Sequence, residues 1–255
     1  MRRVVLALAV VLAGCSSGGG SNSTPSKQSQ PLTVSAAASL KTALLKYHSH
    51  HRYSFAGSDV LAAQIKAGAR PDVYLAANTK LPQELYRAGL LDKPVVFAGN
   101  RLVIAVPASG SGSGKVKSIA DLAKPGVTIA AGSESVPIGS YTRQVIARLP
   151  AAQAKKILAN IRSSEPDVAG VVGKLTQGAV DAGFVYATDV QAAGTKLVAI
   201  QLPARLQPRV AYAGAVVKGT KQHHKASGFV KGLLTGRGAA ALMEAGFDPP
   251  PAAGP

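Results

Sequence analysis

The chain has 255 residues, enough to bury one large domain or two lobes of ordinary size. Apolar residues make up 47% of it and aromatic residues 5%, so Ala, Val, Leu and Gly must fill most of the interior. Lysine and arginine total 29 against 12 acidic residues, and the resulting charge of +17 favours an anionic partner. These basic residues are scattered, and no basic stripe alternates with aromatic residues, which argues against nucleic-acid binding.

The N-terminus has the pattern of an export signal. Two arginines precede an apolar run from Val4 to Leu12, which is too short to span a bilayer permanently. The run ends in a Leu-Ala-Gly-Cys motif that is similar to the lipobox of bacterial lipoproteins. We therefore predict a signal peptide over residues 1–14 and lipid attachment at Cys15; the alternative is an ordinary signal peptide with an incidental cysteine. Because Cys15 is the only cysteine, no intramolecular disulfide can form.

Residues 15–31 consist almost wholly of Ser, Gly, Asn, Gln, Thr and Pro after the cysteine. Such a composition cannot bury a core. We predict a flexible linker that joins the lipidated cysteine to a folded domain on the extracytoplasmic face of the cell membrane.

From Leu32 onward, predicted strands and helices alternate along the chain. The first series comprises strands Leu32–Ser35, Tyr53–Phe55, Asp72–Ala76, Val95–Phe97 and Leu102–Val106, with helices Ser39–Tyr47, Asp59–Ala67 and Leu81–Ala88. The second comprises strands Val127–Ala130, Gly183–Tyr186, Leu197–Ile200 and Arg209–Val217, with helices Ser140–Leu149, Ala151–Asn160, Val168–Gln177, Lys225–Leu234 and Gly238–Ala245. Asp167 is predicted to cap the helix that follows it.

This alternation predicts an α/β protein with two lobes, each a doubly wound sheet flanked by helices, and a ligand cleft between them. We place lobe I at residues 32–103 and 211–255, and lobe II at residues 104–210. Such an architecture opens and closes on a hinge.

Motifs for catalysis and metal binding are weak. The glycine-rich segment 110–115 does not fit a phosphate-binding loop, because its glycine spacing is one residue short and Val116 replaces the required hydroxyl. No Gly-x-Ser-x-Gly motif or carboxylate pair stands out. His48, His50 and His51 have no carboxylate at ligand spacing, so we predict solvated histidines and no site for a metal cation. The alternative is an exported hydrolase that uses these histidines.

Small or hydroxyl residues recur where predicted strands meet helices. Ser39 follows three alanines at or near the N-cap of the first helix, and Ser58 precedes the second helix. Ile138 and Val168 offer backbone N–H groups at later turns, and Tyr186 ends a strand. Unpaired N–H groups and the positive end of the helix dipole make such turns suitable for anions. Taken singly, each position is equally typical of a helix cap or a core residue.

The ordered set of motifs resembles the periplasmic molybdate-binding proteins of the ABC molybdate importer, the ModA family. The resemblance covers residues 32–247 and rests on Ala-Ala-Ala-Ser-Leu at 36–40, Phe-Ala-Gly-Ser at 55–58, Gln-Ile-Lys-Ala-Gly-Ala at 64–69, Pro-Asp-Val-Tyr-Leu-Ala-Ala at 71–77, Val-Pro-Ile-Gly-Ser-Tyr at 136–141, Asp-Val at 167–168 and Val-Tyr-Ala-Thr-Asp at 185–189. It implies a type II periplasmic-binding-protein fold, no enzymatic activity and no cofactor.

The resemblance also implies a ligand and partners. The ligand would be molybdate or tungstate, held by the hydroxyls of Ser39 and Ser58 in lobe I and, in lobe II, by the N–H groups of Ile138 and Val168 and the Tyr186 hydroxyl. The partners would be an ABC permease and, through Cys15, the membrane, and we expect a monomer.

Two departures from the family pattern affect lobe I. The stretch Tyr47–Ser54 is shorter than in the family, and Gly57 stands where a further hydroxyl is often found. Neutral donors suit an unprotonated tetrahedral dianion, but sulfate has the same charge as molybdate, so cavity size must separate the two. A sulfate- or thiosulfate-binding protein is therefore the alternative within this class.

Overall fold

The computed structural model describes residues 30–110 and 113–252. The predicted signal peptide over residues 1–14, Cys15 and nearly all of the predicted linker lie outside the described residues, as do two residues of the glycine-rich segment. No helix in the described part of the chain is long and apolar enough to cross a membrane.

The part of the chain that the structure describes contains two five-stranded sheets. Their strands are β1 (Thr33–Ala37), β2 (Arg52–Ala56), β3 (Val73–Ala76), β4 (Val95–Asn100), β5 (Leu102–Pro107), β6 (Ile129–Gly132), β7 (Ile161–Glu165), β8 (Ala182–Tyr186), β9 (Leu197–Gln201) and β10 (Val210–Val216). The strand orders are β2-β1-β3-β10-β4 and β7-β6-β8-β5-β9. In each sheet the first three strands are parallel, and the two remaining pairings are antiparallel.

Helices connect the parallel strands, as a parallel crossover requires. They are α1 (Lys41–Tyr47), α2 (Ser58–Lys66), α3 (Lys80–Arg87), α4 (Pro137–Ala147), α5 (Ala151–Asn160), α6 (Val168–Thr176), α7 (Ala187–Ala193), α8 (His223–Leu234) and α9 (Arg237–Glu244). A short 3-10 turn, Ala38–Leu40, joins β1 to α1.

We call the sheet that contains β1, with its helices, lobe I, and the sheet that contains β6, with its helices, lobe II. The chain passes from one sheet to the other at Arg101, between β4 and β5, and returns over residues 202–209. The predicted boundary after residue 103 therefore falls inside β5, and the boundary after residue 210 falls at the first residue of β10.

The core lies in the central strands of both sheets. Strands β3, β5, β8 and β10 are buried along their whole length, as expected for strands covered on both faces. Two elements were not predicted, β7 and α7. Strand β7 lies at the edge of its sheet and consists of Ile161 followed by four polar residues, so it lacks the apolar run of a central strand. Helix α7 begins directly after Tyr186, with no turn signal before it.

Candidate functional site

A small cavity lies between the lobes, where strands from both sheets end. Its volume of about 20 Å³ exceeds the roughly 10–15 Å³ that one water molecule needs, so it suits a single small ion rather than a large organic solute. The wall is formed by residues at the ends of β1, β2, β3, β6, β7 and β8 or in the turns that follow these strands, namely Ala37, Ala38, Ser39, Ala56, Gly57, Ser58, Ala77, Val136, Pro137, Ile138, Asp167, Val168 and Tyr186. Ligands of open α/β sheets bind at such carboxyl ends.

All five predicted donors line this cavity. Ser39 and Ser58 belong to lobe I, and Ile138, Val168 and Tyr186 to lobe II. Ser58 reaches the cavity, so the short stretch Tyr47–Ser54 that precedes it does not remove it from the site. The structure therefore brings the five residues together, while their contact with a ligand stays a prediction.

Ser39 is held by a partner that is distant in sequence. It lies inside the turn Ala38–Leu40, and the N-cap of α1 is Leu40. Ser39 therefore lies next to the N-cap, as predicted, but its hydroxyl makes no capping bond and lies 2.9 Å from the hydroxyl of Tyr212 in β10. Either hydroxyl can donate in this bond, and when Tyr212 donates, the Ser39 proton remains for a ligand.

Ser58 is the first residue of α2 and is only 1% exposed. Its Oγ accepts a hydrogen bond from the Ala77 N–H at 3.1 Å, and its carbonyl oxygen accepts one from the Tyr74 hydroxyl at 2.7 Å. Because these bonds use acceptor positions, the hydroxyl proton of Ser58 remains available to donate into the cavity.

Ile138 lies in the first turn of α4. The helix begins at Pro137, three residues before the predicted start at Ser140, because Val136 is the extended N-cap and proline is favoured at the first helical position. The N–H groups of the first helical turn have no partner within the helix. Ile138 therefore presents a backbone donor that the helix itself does not use.

Val168 is the first residue of α6, so its N–H also has no partner within the helix. The prediction that Asp167 caps this helix is confirmed, since its Oδ1 accepts a hydrogen bond from the Gly170 N–H at 3.0 Å. Asp167 also lines the cavity, and the cap holds its carboxylate at the helix start.

Tyr186 ends β8 and is 1% exposed. Its hydroxyl is buried and has no hydrogen-bond partner among the described residues. Its ring packs edge-on against Tyr212, with the two centroids 5.8 Å apart, and its N–H donates to Asp189 Oδ2 at 2.9 Å. Burial, followed by the neighbouring Tyr212, raises the pKa of Tyr186 well above its ordinary value. The phenol therefore stays protonated and can donate.

Apart from the Asp167 carboxylate, the electrostatics of the cavity come from dipoles. No lysine, arginine or histidine within residues 30–110 and 113–252 lines it. Helices α2, α4 and α6 all begin at its wall, and the start of a helix carries a partial positive charge. Neutral donors and helix dipoles can bind a small anion without a buried counter-charge.

Sequence reasoning missed Tyr212, which holds Ser39, and the Ala77 N–H, which holds Ser58. Tyr212 lies in a run of small and apolar residues with no local motif, and 173 positions separate it from Ser39. The tyrosine in that run was the available signal, since the hydroxyl of a buried tyrosine usually has a hydrogen-bond partner.

The histidine cluster lies away from this cavity. His48 and His51 stack with ring centroids 5.0 Å apart, and both rings pack against Phe229. Burial lowers the pKa of His51 to about 4. The prediction of solvated histidines holds for exposed His50 but is wrong for the half-buried His48 and His51. Across the described ranges, no group of three or more His, Cys, Asp or Glu could hold a metal ion.

The profile of the bacterial extracellular solute-binding proteins matches residues 32–248. The chain belongs to this family. It is a family of extracytoplasmic solute-binding components of ABC transporters and not of enzymes, which excludes the exported hydrolase.

This solute-binding protein is similar to the molybdate-binding protein ModA of Mycobacterium tuberculosis, with 34% identity that covers 96% of this chain and 95% of the relative. The predicted resemblance to the ModA family is thereby confirmed.

Two solved structures confirm the predicted two-lobed fold. The periplasmic molybdate-binding protein of Azotobacter vinelandii superposes with a TM-score of 0.73 at 23% identity, covering 86% of this chain and all (100%) of that chain. The sulfate-binding protein SubI of Mycobacterium tuberculosis superposes with a TM-score of 0.72 at 17% identity, covering 86% of this chain and 87% of that chain. The fold is thus shared by binders of different oxyanions and does not identify the anion.

Proposed function

We propose that this solute-binding protein captures molybdate, and tungstate with it, in the cavity between its lobes and delivers the anion to an ABC permease. The observation that carries the proposal is the donor set, in which three hydroxyls and two helix-terminal N–H groups surround a cavity without a cationic side chain. The 34% identity to a molybdate-binding protein supports the same anion.

The chemistry of the donors suits an unprotonated tetrahedral dianion. Each oxygen of molybdate accepts hydrogen bonds, and each of the five groups can donate one. A protonated phosphate differs from molybdate in that its proton needs an acceptor. The cap bond engages only Oδ1 of Asp167, the carboxylate at the wall, so Oδ2 can accept and phosphate is a competitor that must be tested. Tungstate is close to molybdate in size and charge, so the same donors serve both anions.

Sulfate or thiosulfate is the second candidate, because sulfate has the same charge as molybdate and the fold, which a sulfate-binding protein shares, does not separate the two anions. Calorimetric titration with molybdate, tungstate, sulfate, thiosulfate and phosphate separates the two. We expect molybdate and tungstate to bind at least 100-fold more tightly than sulfate. Tight binding of sulfate without binding of molybdate would overturn the proposal.

Delivery to a permease is tested in cells that lack the gene. The wild-type protein should restore molybdate uptake, whereas Ser39→Ala should restore it less well at low molybdate concentration. As a control, Ser140→Ala changes an exposed serine outside the cavity wall and should behave like the wild type. Equal uptake with both variants would contradict the role of Ser39.

We also propose that the protein is a monomeric lipoprotein, exported by the signal over residues 1–14 and anchored through Cys15. This rests on the lipobox-like motif that ends at Cys15. Cys15→Ser should move the protein from the membrane fraction to the soluble fraction, while light scattering of the released protein should give the mass of one chain. Retention of the variant in the membrane would exclude the anchor.

A further inference from the structure

Gly57 marks a point where the two lobes approach each other closely. A Cβ atom built on it would lie 2.5 Å from the carbonyl oxygen of Pro166 in lobe II and 3.4 Å from Val136 Cγ1. The backbone of Gly57 has φ −57° and ψ 136°, a conformation that any residue can adopt. The missing side chain is therefore required by the approach of the other lobe and not by the backbone conformation.

A hydrogen bond joins the lobes beside this point. The Ser135 hydroxyl, in the loop between β6 and α4, donates to Asp59 Oδ2 in the first turn of α2 at 2.8 Å. The second carboxylate oxygen, Oδ1, is buried and has no hydrogen-bond partner in the described part of the chain. A Cβ at Gly57 would also lie 2.8 Å from this oxygen, so Gly57, Asp59, Ser135 and Pro166 form one contact, which we call the closure contact.

The closure contact is built from the same backbone that positions the donors. Gly57 directly precedes Ser58, and Pro166 lies two residues before Val168. Moving the Pro166 oxygen from 2.5 Å to an ordinary contact of 3.4 Å would separate the lobes by about 1 Å. That movement exceeds the difference in size between sulfate and molybdate. It would draw the N–H of Val168 away from an anion held by Ser58.

We propose that Gly57 sets how far the cleft closes, and thereby the size of the oxyanion that the cavity retains, and that the hydrogen bond between Ser135 and Asp59 holds the closed arrangement. This inference rests on the proposed function. It assigns a specificity-determining role to a residue that offers no side-chain donor.

The test compares Gly57→Ala with Gly173→Ala. Gly173 lies in α6, where a Cβ would meet nothing within 4 Å, so the control makes the same change without a contact between lobes. Affinity is measured by calorimetry and the release rate by stopped flow, each with molybdate, tungstate and chromate. Chromate is a tetrahedral dianion intermediate in size between sulfate and molybdate. Melting of the ligand-free proteins reports on folding.

We expect Gly57→Ala to weaken molybdate binding 10- to 100-fold, chiefly through faster release, and to weaken chromate binding by a larger factor. Gly173→Ala should bind as the wild type does. Ser135→Ala, which adds no bulk, should accelerate molybdate release 3- to 10-fold, so it tests the closure contact even if Gly57→Ala folds poorly. Wild-type affinity in Gly57→Ala, or equal losses for chromate and molybdate, would overturn the inference.

The test of Gly57 can fail or succeed independently of the test of the proposed ligand. If the wild-type protein binds sulfate and not molybdate, the proposed ligand is wrong, and the variants are then compared with sulfate and the larger thiosulfate. In that case the inference still requires the variant Gly57→Ala to lose more affinity for the smaller anion.

Discussion

The two lobes share one strand order but supply their donors in different ways. Lobe I contributes two serine hydroxyls, and each has a partner within the lobe, Tyr212 for Ser39 and the Ala77 N–H for Ser58. Lobe II contributes the N–H groups of two helix starts and the Tyr186 hydroxyl, which has no hydrogen-bond partner among residues 30–110 and 113–252.

This difference separates two kinds of binding residue. A lobe I serine is at once a donor for the ligand and part of the hydrogen bonding that holds the fold, so its removal should affect both affinity and stability. The lobe II donors are fixed by backbone geometry or by the packing of an aromatic ring. Their removal should affect affinity alone.

Ser58→Ala should have the largest effect and is the sharpest test of lobe I. Loss of the hydroxyl removes a hydrogen bond to a charged ligand, so molybdate affinity should fall by about 3 kcal/mol. The buried Ala77 N–H loses its acceptor, so the free energy of unfolding should also fall by about 1–3 kcal/mol. Calorimetry and urea denaturation of the ligand-free protein measure the two effects.

The control for Ser58→Ala is Ser140→Ala, which should change neither quantity because Ser140 is exposed and outside the cavity wall. If Ser58→Ala keeps its affinity for molybdate but loses stability, Ser58 has only a structural role in lobe I and does not bind the ligand.

Unlike Ser58→Ala, Tyr186→Phe should lower molybdate affinity without lowering stability. Removal of the phenol should weaken molybdate binding by about 2 kcal/mol, since a donor to a charged ligand is lost. The ligand-free protein should be as stable as the wild type or slightly more stable, because the buried hydroxyl has no partner in the described structure. The same calorimetric and denaturation measurements apply.

Tyr141→Phe is the matched control for Tyr186→Phe. The Tyr141 ring lies 6.5 Å from that of Tyr186, but Tyr141 does not line the cavity. The variant Tyr141→Phe should leave molybdate affinity unchanged. Reduced stability with unchanged affinity in Tyr186→Phe would remove the distinction between the lobes.

The ordered set of local motifs, through its resemblance to a family, predicted the positions around the cavity, although no motif did so alone. Parallel strands end at one edge of a sheet, so turns that follow different strands meet there although the chain separates them. The cap at Asp167 was likewise predictable because donor and acceptor lie three residues apart.

Contacts between distant residues were not predictable in this way. Ser39 was correctly placed beside a helix start, but the partner of its hydroxyl is Tyr212, 173 positions away. Strand β7 was missed because an edge strand needs no apolar face on both sides. The approach of Pro166 to Gly57 depends on how the two lobes meet, which no local pattern encodes.

Val168→Pro tests a backbone donor of lobe II. Proline removes the N–H but suits the first position of a helix, and the preceding Asp167 is extended, as a residue before proline should be. We expect molybdate affinity to fall by about 1.5 kcal/mol with helix α6 intact by circular dichroism. Val168→Ala keeps the N–H and should bind as the wild type does. Equal losses in both variants would show that the side chain, and not the N–H, matters.

The smallest expected effect on molybdate affinity comes from the charge of Asp189, which lies next to Tyr186. Asp189 Oδ2 accepts the Tyr186 N–H, and burial, with the neighbouring Asp167, raises the pKa of Asp189 to about 7. Below that pH the carboxyl group is protonated and neutral; above it, the group places a negative charge near the anion. Molybdate affinity should therefore fall as pH rises from 6 to 8, by about 1 kcal/mol for a partly screened charge pair.

Asp189→Asn isolates this charge from other titrations, because the amide keeps an acceptor for the Tyr186 N–H but stays neutral throughout. Calorimetry at several pH values should show a decline for the wild type and a nearly flat profile for the variant. The two proteins should have similar affinities at pH 6, and the variant should bind more tightly at pH 8. Parallel profiles would mean that the charge of Asp189 does not act on the anion, and that any pH dependence of binding has another origin.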